Sequence, residues 1–213
     1  MKDSTSKEKV LKKVRNALIN KLENPFKNVD FSSPLFHKQE EDPEVQFAYK
    51  LKECNGTFIY CANNKELNDN LVALIEKEGW KNIICPDVSL SELLSQHDID
   101  IINEVDEFNS VSVGITSCDF LISRFGSVMV SSGLGVGRRL FVFPETHIVI
   151  ASASQVVPEL KDALVGMKEK YADNFPSQVT VITGPSRTAD IEKTLVMGAH
   201  GPKNLYVFMI DDM

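Results

Sequence analysis

Apolar and polar positions along the first half of the chain predict helices and strands in turn. Stripes of apolar residues at helical spacing predict helices over 44–54 and 65–79, the second of which ends in a glycine. Short apolar runs predict strands over 56–61 and 82–86, and Ser89 is predicted to cap a further helix. Alternating strands and helices of these lengths are typical of a parallel sheet.

From residue 110 the pattern changes to short apolar runs with only turns between them. These runs predict strands at 111–115, 119–123, 127–130, 140–143 and 147–151. A helix over 157–171 and strands over 179–183 and 205–210 complete the pattern. We therefore predict an α/β protein, a three-layer α/β/α sandwich with a mostly parallel, mixed sheet.

The N-terminal segment is predicted to be an appendage. Residues 6–24 form an amphipathic helical pattern that ends at Asn24-Pro25, and the following residues to 43 are typical of an irregular linker. We divide the chain into an N-terminal amphipathic helix and linker, 1–43, and one domain, 44–213. The apolar stripe of the helix either packs on the chain's own domain or serves as a handle for a partner subunit.

Charge and hydropathy exclude several classes of protein. The formal net charge of −7 argues against a general nucleic-acid binder, because such a protein needs a basic face. No apolar run approaches the roughly 20 residues that cross a bilayer, and the N-terminus lacks the apolar core of a signal peptide. We expect a cytoplasmic protein that binds neither nucleic acid nor membrane.

The cysteines do not predict a metal centre. Cys54, Cys61, Cys85 and Cys118 are scattered without a Cys-x-x-Cys pair, which makes a zinc or iron–sulfur site in this chain improbable. The sequence also has no dinucleotide fingerprint and no Walker loop. We therefore expect neither a metal nor a cofactor in this chain.

The segment between the last two predicted strands is rich in hydroxyl and charged side chains. Gly184, Ser186, Arg187 and Thr188 offer backbone N–H groups, hydroxyls and a guanidinium, which together can bind a small anion. Open α/β sheets bind ligands at the carboxyl ends of their strands, and this loop follows such an end. The alternative is a Gly-Pro turn in which a hydroxyl caps a short helix.

This segment also carries a family resemblance. The run 182–192, followed by Met-Gly-Ala-His-Gly-Pro at 197–202, resembles the C-terminal signature of the LUD domain, the family of lactate utilization protein C. The resemblance covers roughly 45–211 and continues upstream in 119–130 and 143–148. Several matched segments in one order are more specific than one short motif.

The resemblance implies a fold and a function. It implies a fold similar to the group of sugar-phosphate isomerases and CoA transferases, and a subunit that takes part in oxidising L-lactate to pyruvate with iron–sulfur, cysteine-rich partner proteins. LUD relatives commonly carry a Glu-Thr-Gly-Thr-like run where this chain has Arg124-Phe125-Gly126-Ser127. This departure weakens the case for carboxylate chemistry at that position.

A second candidate ligand loop lies between two predicted strands. Residues 131–139 contain three alternating glycines followed by Arg138 and Arg139, so the backbone can approach an anion and the guanidinium groups can bind it. The alternative is a flexible hairpin with two solvated arginines. With the implied fold, this loop and 184–188 are predicted to line one cleft.

Four further residues complete the candidate site. Glu145 and His147 are predicted ligand contacts at the start of an apolar strand, although a histidine in that position can also be structural. Asp190 and His200 are the predicted catalytic groups. They belong to the alternative function, a stand-alone enzyme on a sugar-phosphate or acyl-CoA substrate. A third alternative is an interaction module without a ligand.

Overall fold

The computed structural model describes residues 5–19, 23, 25–30, 41–102, 111–189, 195–198 and 200–212, with the backbone alone at 188–189 and 195–197. Residues cluster into two compact units, Met1–Lys38 and Gln39–Met213.

The first unit contains helix α1, Ser6–Ile19, whose side chains are all exposed. Thr5 caps this helix: its Oγ1 atom accepts from the backbone N–H of Glu8 at 3.3 Å, and the Glu8 carboxylate accepts from the backbone N–H of Thr5 at 2.9 Å. This reciprocal arrangement satisfies two donors that a helix start leaves open.

The second unit contains the remaining helices and all the described strands. The helices are α2 Pro43–Glu53, α3 Asn64–Glu78, α4 Val88–Gln96 and α5 Leu160–Tyr171. The strands are β1 Thr57–Cys61, β2 Ile83–Ile84, β3 Val113–Ser117, β4 Phe120–Ile122, β5 Ser127–Ser131, β6 Thr146–Ser152, β7 Val156–Val157, β8 Val179–Ile182, β9 Arg187–Ala189, β10 Leu195–Met197 and β11 Asn204–Ile210. Among the described helices, none is long and apolar enough to span a bilayer.

A five-stranded parallel sheet forms the centre of this unit, in the order β1-β11-β6-β3-β2. Helices α3 and α4 pack on one face, where Leu71, Ile75 and Leu94 are buried against Ile115 and Phe208. The apolar stripe of α3 explains this packing, because positions four residues apart lie on one side of a helix.

The other face of the central sheet is covered by α2 and by a second, four-stranded sheet in the order β7-β4-β5-β8. Period-two alternation along β5 fixes its orientation: Val128 and Val130 face the central sheet, whereas Met129 faces Met167 of α5. The α/β fold with a mostly parallel central sheet is thus confirmed, and the consecutive strands of the second half supply the antiparallel pairs.

The helix ends follow local chemistry. Asn63 caps α3 through its side-chain oxygen, and Gly79 ends that helix in the left-handed conformation, as predicted. The predicted cap of the next helix is wrong by two residues. Asp87, rather than Ser89, accepts from the backbone N–H of Leu90 at 2.9 Å and begins α4.

One predicted strand is absent from its position. The run 138–141 forms a 3-10 helix instead of a strand at 140–143. Gly137, at φ +76°, turns the chain, and the amide of Val142 then bonds back to the carbonyl of Arg139 at 3.0 Å. Leu140 and Phe141 are both buried although they are adjacent, which a single helical turn allows and an alternating half-buried strand does not.

Candidate functional site

The hydroxyl-rich segment folds into a hairpin that is fixed to the start of β11. After β8 the chain turns at Gly184, at φ +77°, and strands β9 and β10 pair antiparallel. The backbone N–H of Ser186 donates to the carbonyl of Pro202 at 2.8 Å, and that of Gly198 donates to the carbonyl of Ser186 at 2.9 Å. A Cβ atom at position 184 would overlap the carbonyl oxygen of Cys54, so glycine permits this close approach.

This hairpin borders an open cleft of about 420 Å³, which we call the loop cleft. The loop cleft is lined by Phe141, Val142, residues 180–187 and residues 200–202. Ser186, Arg187 and His200 therefore meet at one surface, with Arg187 and His200 exposed. Within the described part of the chain, Arg187 has no ion-pair partner.

The loop cleft lies at the amino-terminal edge of the central sheet, because His200, Gly201 and Pro202 lead directly into β11. The hairpin does follow the carboxyl end of a strand, but that strand is β8, which belongs to the second sheet. The expectation that the loop opens at the ligand-binding edge of the parallel sheet is corrected accordingly.

Glu145 and His147 lie near this edge in different environments. Glu145 is exposed and accepts from Lys203 Nζ at 2.7 Å, so an anion would have to compete with its carboxylate. His147 is completely buried, and its Nε2 atom lies 2.8 Å from Thr116 Oγ1. Burial lowers the pKa of His147 to about 4, because the apolar surroundings disfavour the imidazolium. The structure therefore places the side chain of His147 in the core, against Thr116, and not in the lining of the loop cleft.

The glycine-rich loop does not join the loop cleft. Arg138 donates to the hydroxyl of Ser177, and Arg139 is an exposed residue of the same 3-10 helix. Gly135 and Val136 line a different cleft. The structure therefore does not bring 131–139 and 184–188 to one cleft, because residues 184–187 line the loop cleft whereas Gly135 and Val136 do not.

Two predicted residues cannot be placed in full. Asp190, a predicted catalytic group, lies outside the described residues, and Thr188 is described by its backbone alone. The backbone of Thr188 pairs with Val196 in the hairpin.

A larger cleft of about 620 Å³ lies at the carboxyl ends of β3, β6 and β11, and we call it the carboxyl-edge cleft. Its polar lining comprises Asn64, Asn68, Asp87, Ser89, Thr116 and Ser117. Helices α3 and α4 begin here, so their first backbone N–H groups point toward this edge. Sequence reasoning missed these residues, although strand ends followed by helix caps are a signal that could have found them.

One buried carboxylate is structural. The side chain of Asp119 is fully buried, and its Oδ1 atom accepts from Lys170 Nζ at 2.8 Å and from the Tyr171 hydroxyl at 2.7 Å. Burial by itself would lower the pKa of Lys170, but the hydrogen bond and charge of Asp119 outweigh it and raise that pKa. This network joins α5 to the second sheet. Among the described residues, no three His, Cys, Asp or Glu side chains form a group able to hold a metal ion.

The protein is thus an α/β protein with a parallel central sheet. One ligand-sized cleft lies at the amino ends of its strands and another lies at their carboxyl ends. The chain belongs to the LUD domain family, whose model matches residues 45–210.

Relatives with known names support the same assignment. Lactate utilization protein C of Macrococcus caseolyticus is 32% identical over 177 residues, which cover 76% of this chain and 76% of that protein. Lactate utilization protein C of a Geobacillus species is 38% identical over 110 residues, covering 50% of this chain and 46% of that protein. A DUF162 family protein of Deinococcus radiodurans has a similar fold, with a TM-score of 0.56 at 17% identity over 79% of this chain and 96% of that one.

Proposed function

We propose that this chain is a subunit that takes part in oxidising L-lactate to pyruvate together with iron–sulfur, cysteine-rich partner proteins. Family membership and relatives named lactate utilization protein C support this proposal. The redox step belongs to the partners, and this chain binds a small anionic ligand.

The loop cleft is the proposed place for that anion. The observation that carries this proposal is that Ser186, Arg187 and His200 line one open surface. An exposed guanidinium can form two parallel hydrogen bonds to a carboxylate or phosphate, and a neighbouring hydroxyl can add a third. An acidic protein can bind an anion in this way, because salt screens the repulsion from distant negative charges on the protein but hardly weakens a direct contact between the anion and the guanidinium.

A binding experiment tests the cleft. Isothermal titration of the purified chain with L-lactate, pyruvate and inorganic phosphate should identify at least one ligand. Arg187→Gln should weaken that ligand's binding at least about 10-fold, since it removes a charge-assisted pair. Lys161→Gln removes another exposed positive charge, from α5, and should leave the affinity unchanged. Equal affinity in wild type and Arg187→Gln would contradict the proposed cleft.

The role in lactate oxidation is tested in the native host. A strain that lacks the gene should lose growth on L-lactate as sole carbon source and regain it with the wild-type gene. A tagged chain should copurify with cysteine-rich iron–sulfur proteins. Normal growth of the deletion strain, or copurification without any such protein, would argue against this function.

The carboxyl-edge cleft favours a second candidate function, a stand-alone enzyme on a sugar-phosphate or acyl-CoA substrate. Its position at the strand ends is where open α/β sheets bind ligands, and its volume suits a substrate of that size. Turnover of such a substrate by the purified chain alone would support this candidate. Asp87→Asn removes the carboxylate that lines this cleft but keeps a side chain able to cap α4, so it should lower turnover without unfolding the chain. An unchanged rate would argue against catalysis in this cleft.

A further inference from the structure

An apolar groove of about 660 Å³ lies between helix α2 and strand β1, at the open edge of the central sheet. We call it the α2 groove. Its lining includes five residues of α2 and one of β1: Glu44, Val45, Ala48, Tyr49, Lys52 and Tyr60. None of these residues belongs to the loop cleft or to the carboxyl-edge cleft.

The groove exposes large apolar side chains close to one another. Tyr49 is 61% exposed, Tyr60 49% and Val45 47%. The Tyr60 hydroxyl donates to Asp211 Oδ2 at 2.6 Å, which holds the ring in place and raises the pKa of Tyr60. Contiguous exposed apolar surface with fixed aromatic rings is typical of a protein interface.

The charges on the groove are arranged symmetrically about one small residue. Along α2, Glu44 lies four positions before Ala48 and Lys52 lies four positions after it. At 1.5 Å per residue, each charge is about 6 Å from Ala48 along the helix axis. Neither Glu44 nor Lys52 forms an ion pair with any residue that the structure describes.

This arrangement selects among possible occupants. A basic segment in the groove would meet Lys52, and an acidic segment would meet Glu44. Only a partner that carries the opposite charge at both positions satisfies both residues. A second copy of α2 in the reverse direction has those charges, since its Lys52 meets Glu44 and its Glu44 meets Lys52.

We propose that the α2 groove is the interface of a two-fold symmetric dimer of this chain. The axis passes near Ala48, whose small side chain lets the two helices approach closely. Tyr49, Tyr60 and Val45 of each copy pack in the groove of the other, and two Glu44–Lys52 pairs flank this apolar centre. Such an isologous contact closes on itself and leaves a dimer as the end product.

Charge reversal tests the dimer. The full chain is analysed by sedimentation velocity over a range of concentrations, and wild type should be a dimer. Glu44→Lys and Lys52→Glu each place like charges in contact twice, so each should weaken dimerisation at least about 10-fold. The double variant restores both pairs with their signs exchanged and should dimerise like wild type. Lys77→Glu, an exposed reversal on α3, is the matched control and should leave the dimer intact.

Mixing the two single variants gives the sharpest result. A Glu44→Lys chain and a Lys52→Glu chain together form two attractive pairs, so the mixture should contain a heterodimer although each variant alone is mostly monomeric. A monomeric wild type would overturn the proposal, as would dimers that all four variants form equally well. Stronger association of Lys52→Glu alone would also overturn it, because that result identifies a basic segment as the occupant.

Discussion

The Nε2 atom of His147 lies 2.8 Å from the Oγ1 atom of Thr116, and the imidazole is completely buried beside the ring of Phe141. Thr116 in turn lines the carboxyl-edge cleft. The histidine therefore orients a hydroxyl of that cleft from within the core. Its other ring nitrogen, Nδ1, has no hydrogen-bond partner among the residues that the structure describes.

This burial predicts a pH dependence of stability. An unfolded chain protonates the histidine below its ordinary pKa of about 6.5, whereas the native pKa is about 4. The unfolded state therefore binds more protons between these values, and the free energy of unfolding falls as pH falls from about 6.5 to about 4. The loss is about 3 kcal/mol and is absent above pH 7.

Chemical denaturation at a series of pH values measures this loss. His147→Gln should flatten the profile between pH 6.5 and 4, because the titrating group is gone. His97→Gln is the control, since His97 is exposed and should leave the profile unchanged. A wild-type profile that is flat over this range would contradict the buried state of His147.

The ion pair between Asp119 and Lys170 predicts that mutation of this partly exposed lysine of α5 lowers the stability of the protein. Lys170→Met should destabilise the protein by about 2 kcal/mol, because the fully buried Asp119 carboxylate loses its cation while Lys170 itself is partly exposed. Lys168→Met, on the same helix and exposed, should change the free energy of unfolding by less than about 0.5 kcal/mol. Urea denaturation of both variants measures the difference, and equal stabilities would show that the pair contributes nothing.

Two glycines with similar positive φ angles should respond differently to alanine. Gly126 has φ +61°, and a Cβ atom there would overlap the backbone nitrogen of Leu51 in α2. Gly79 has φ +65°, with open space around the position of its Cβ atom. We expect Gly79→Ala to cost about 1 kcal/mol from backbone strain alone and Gly126→Ala to cost more than about 3 kcal/mol. Thermal unfolding of the two variants checks the order, which a similar loss in both would contradict.

The cysteines should react with a thiol reagent in two groups. Cys54 is partly exposed, whereas Cys85 and Cys118 are buried. Burial raises the pKa of the Cys85 thiol to about 11 and raises that of Cys118 as well, so neither forms a reactive thiolate at pH 8. One rapid reaction is expected in the native protein, and Cys54→Ser should abolish it. Rapid modification of the buried thiols before unfolding would contradict this packing.

Much of the fold could be predicted because local signals and tertiary packing agree. The apolar stripe of α3, its cap at Asn63 and its stop at Gly79 all specify the same helix. The strand predicted at 140–143 was wrong because the run 138–141 is too short to show a hydrophobic period. Four residues, two basic and two apolar, do not distinguish a buried strand from one turn of helix.

The candidate site was harder to predict because a sequence does not say which sheet a strand joins. β8 pairs with β5 in the second sheet and not with the parallel strands of the central sheet. The loop after β8 therefore opens at the amino-terminal edge of the central sheet, although a loop that follows a strand is expected at the carboxyl edge. His147 shows the same limit. Its apolar neighbours indicate a strand, but only the packed structure places its ring under Phe141 and against Thr116.

The position of β11 has a consequence for biosynthesis. Strand β1 is made before β11, yet among the described strands its one neighbour in the central sheet is β11, which separates it from β6. While the ribosome is still adding residues before Asn204, β1 lacks this native neighbour and cannot be joined to β6 through it. The nascent chain must therefore hold its earlier strands without the strand that joins β1 to β6, and chaperones have that interval in which to bind it.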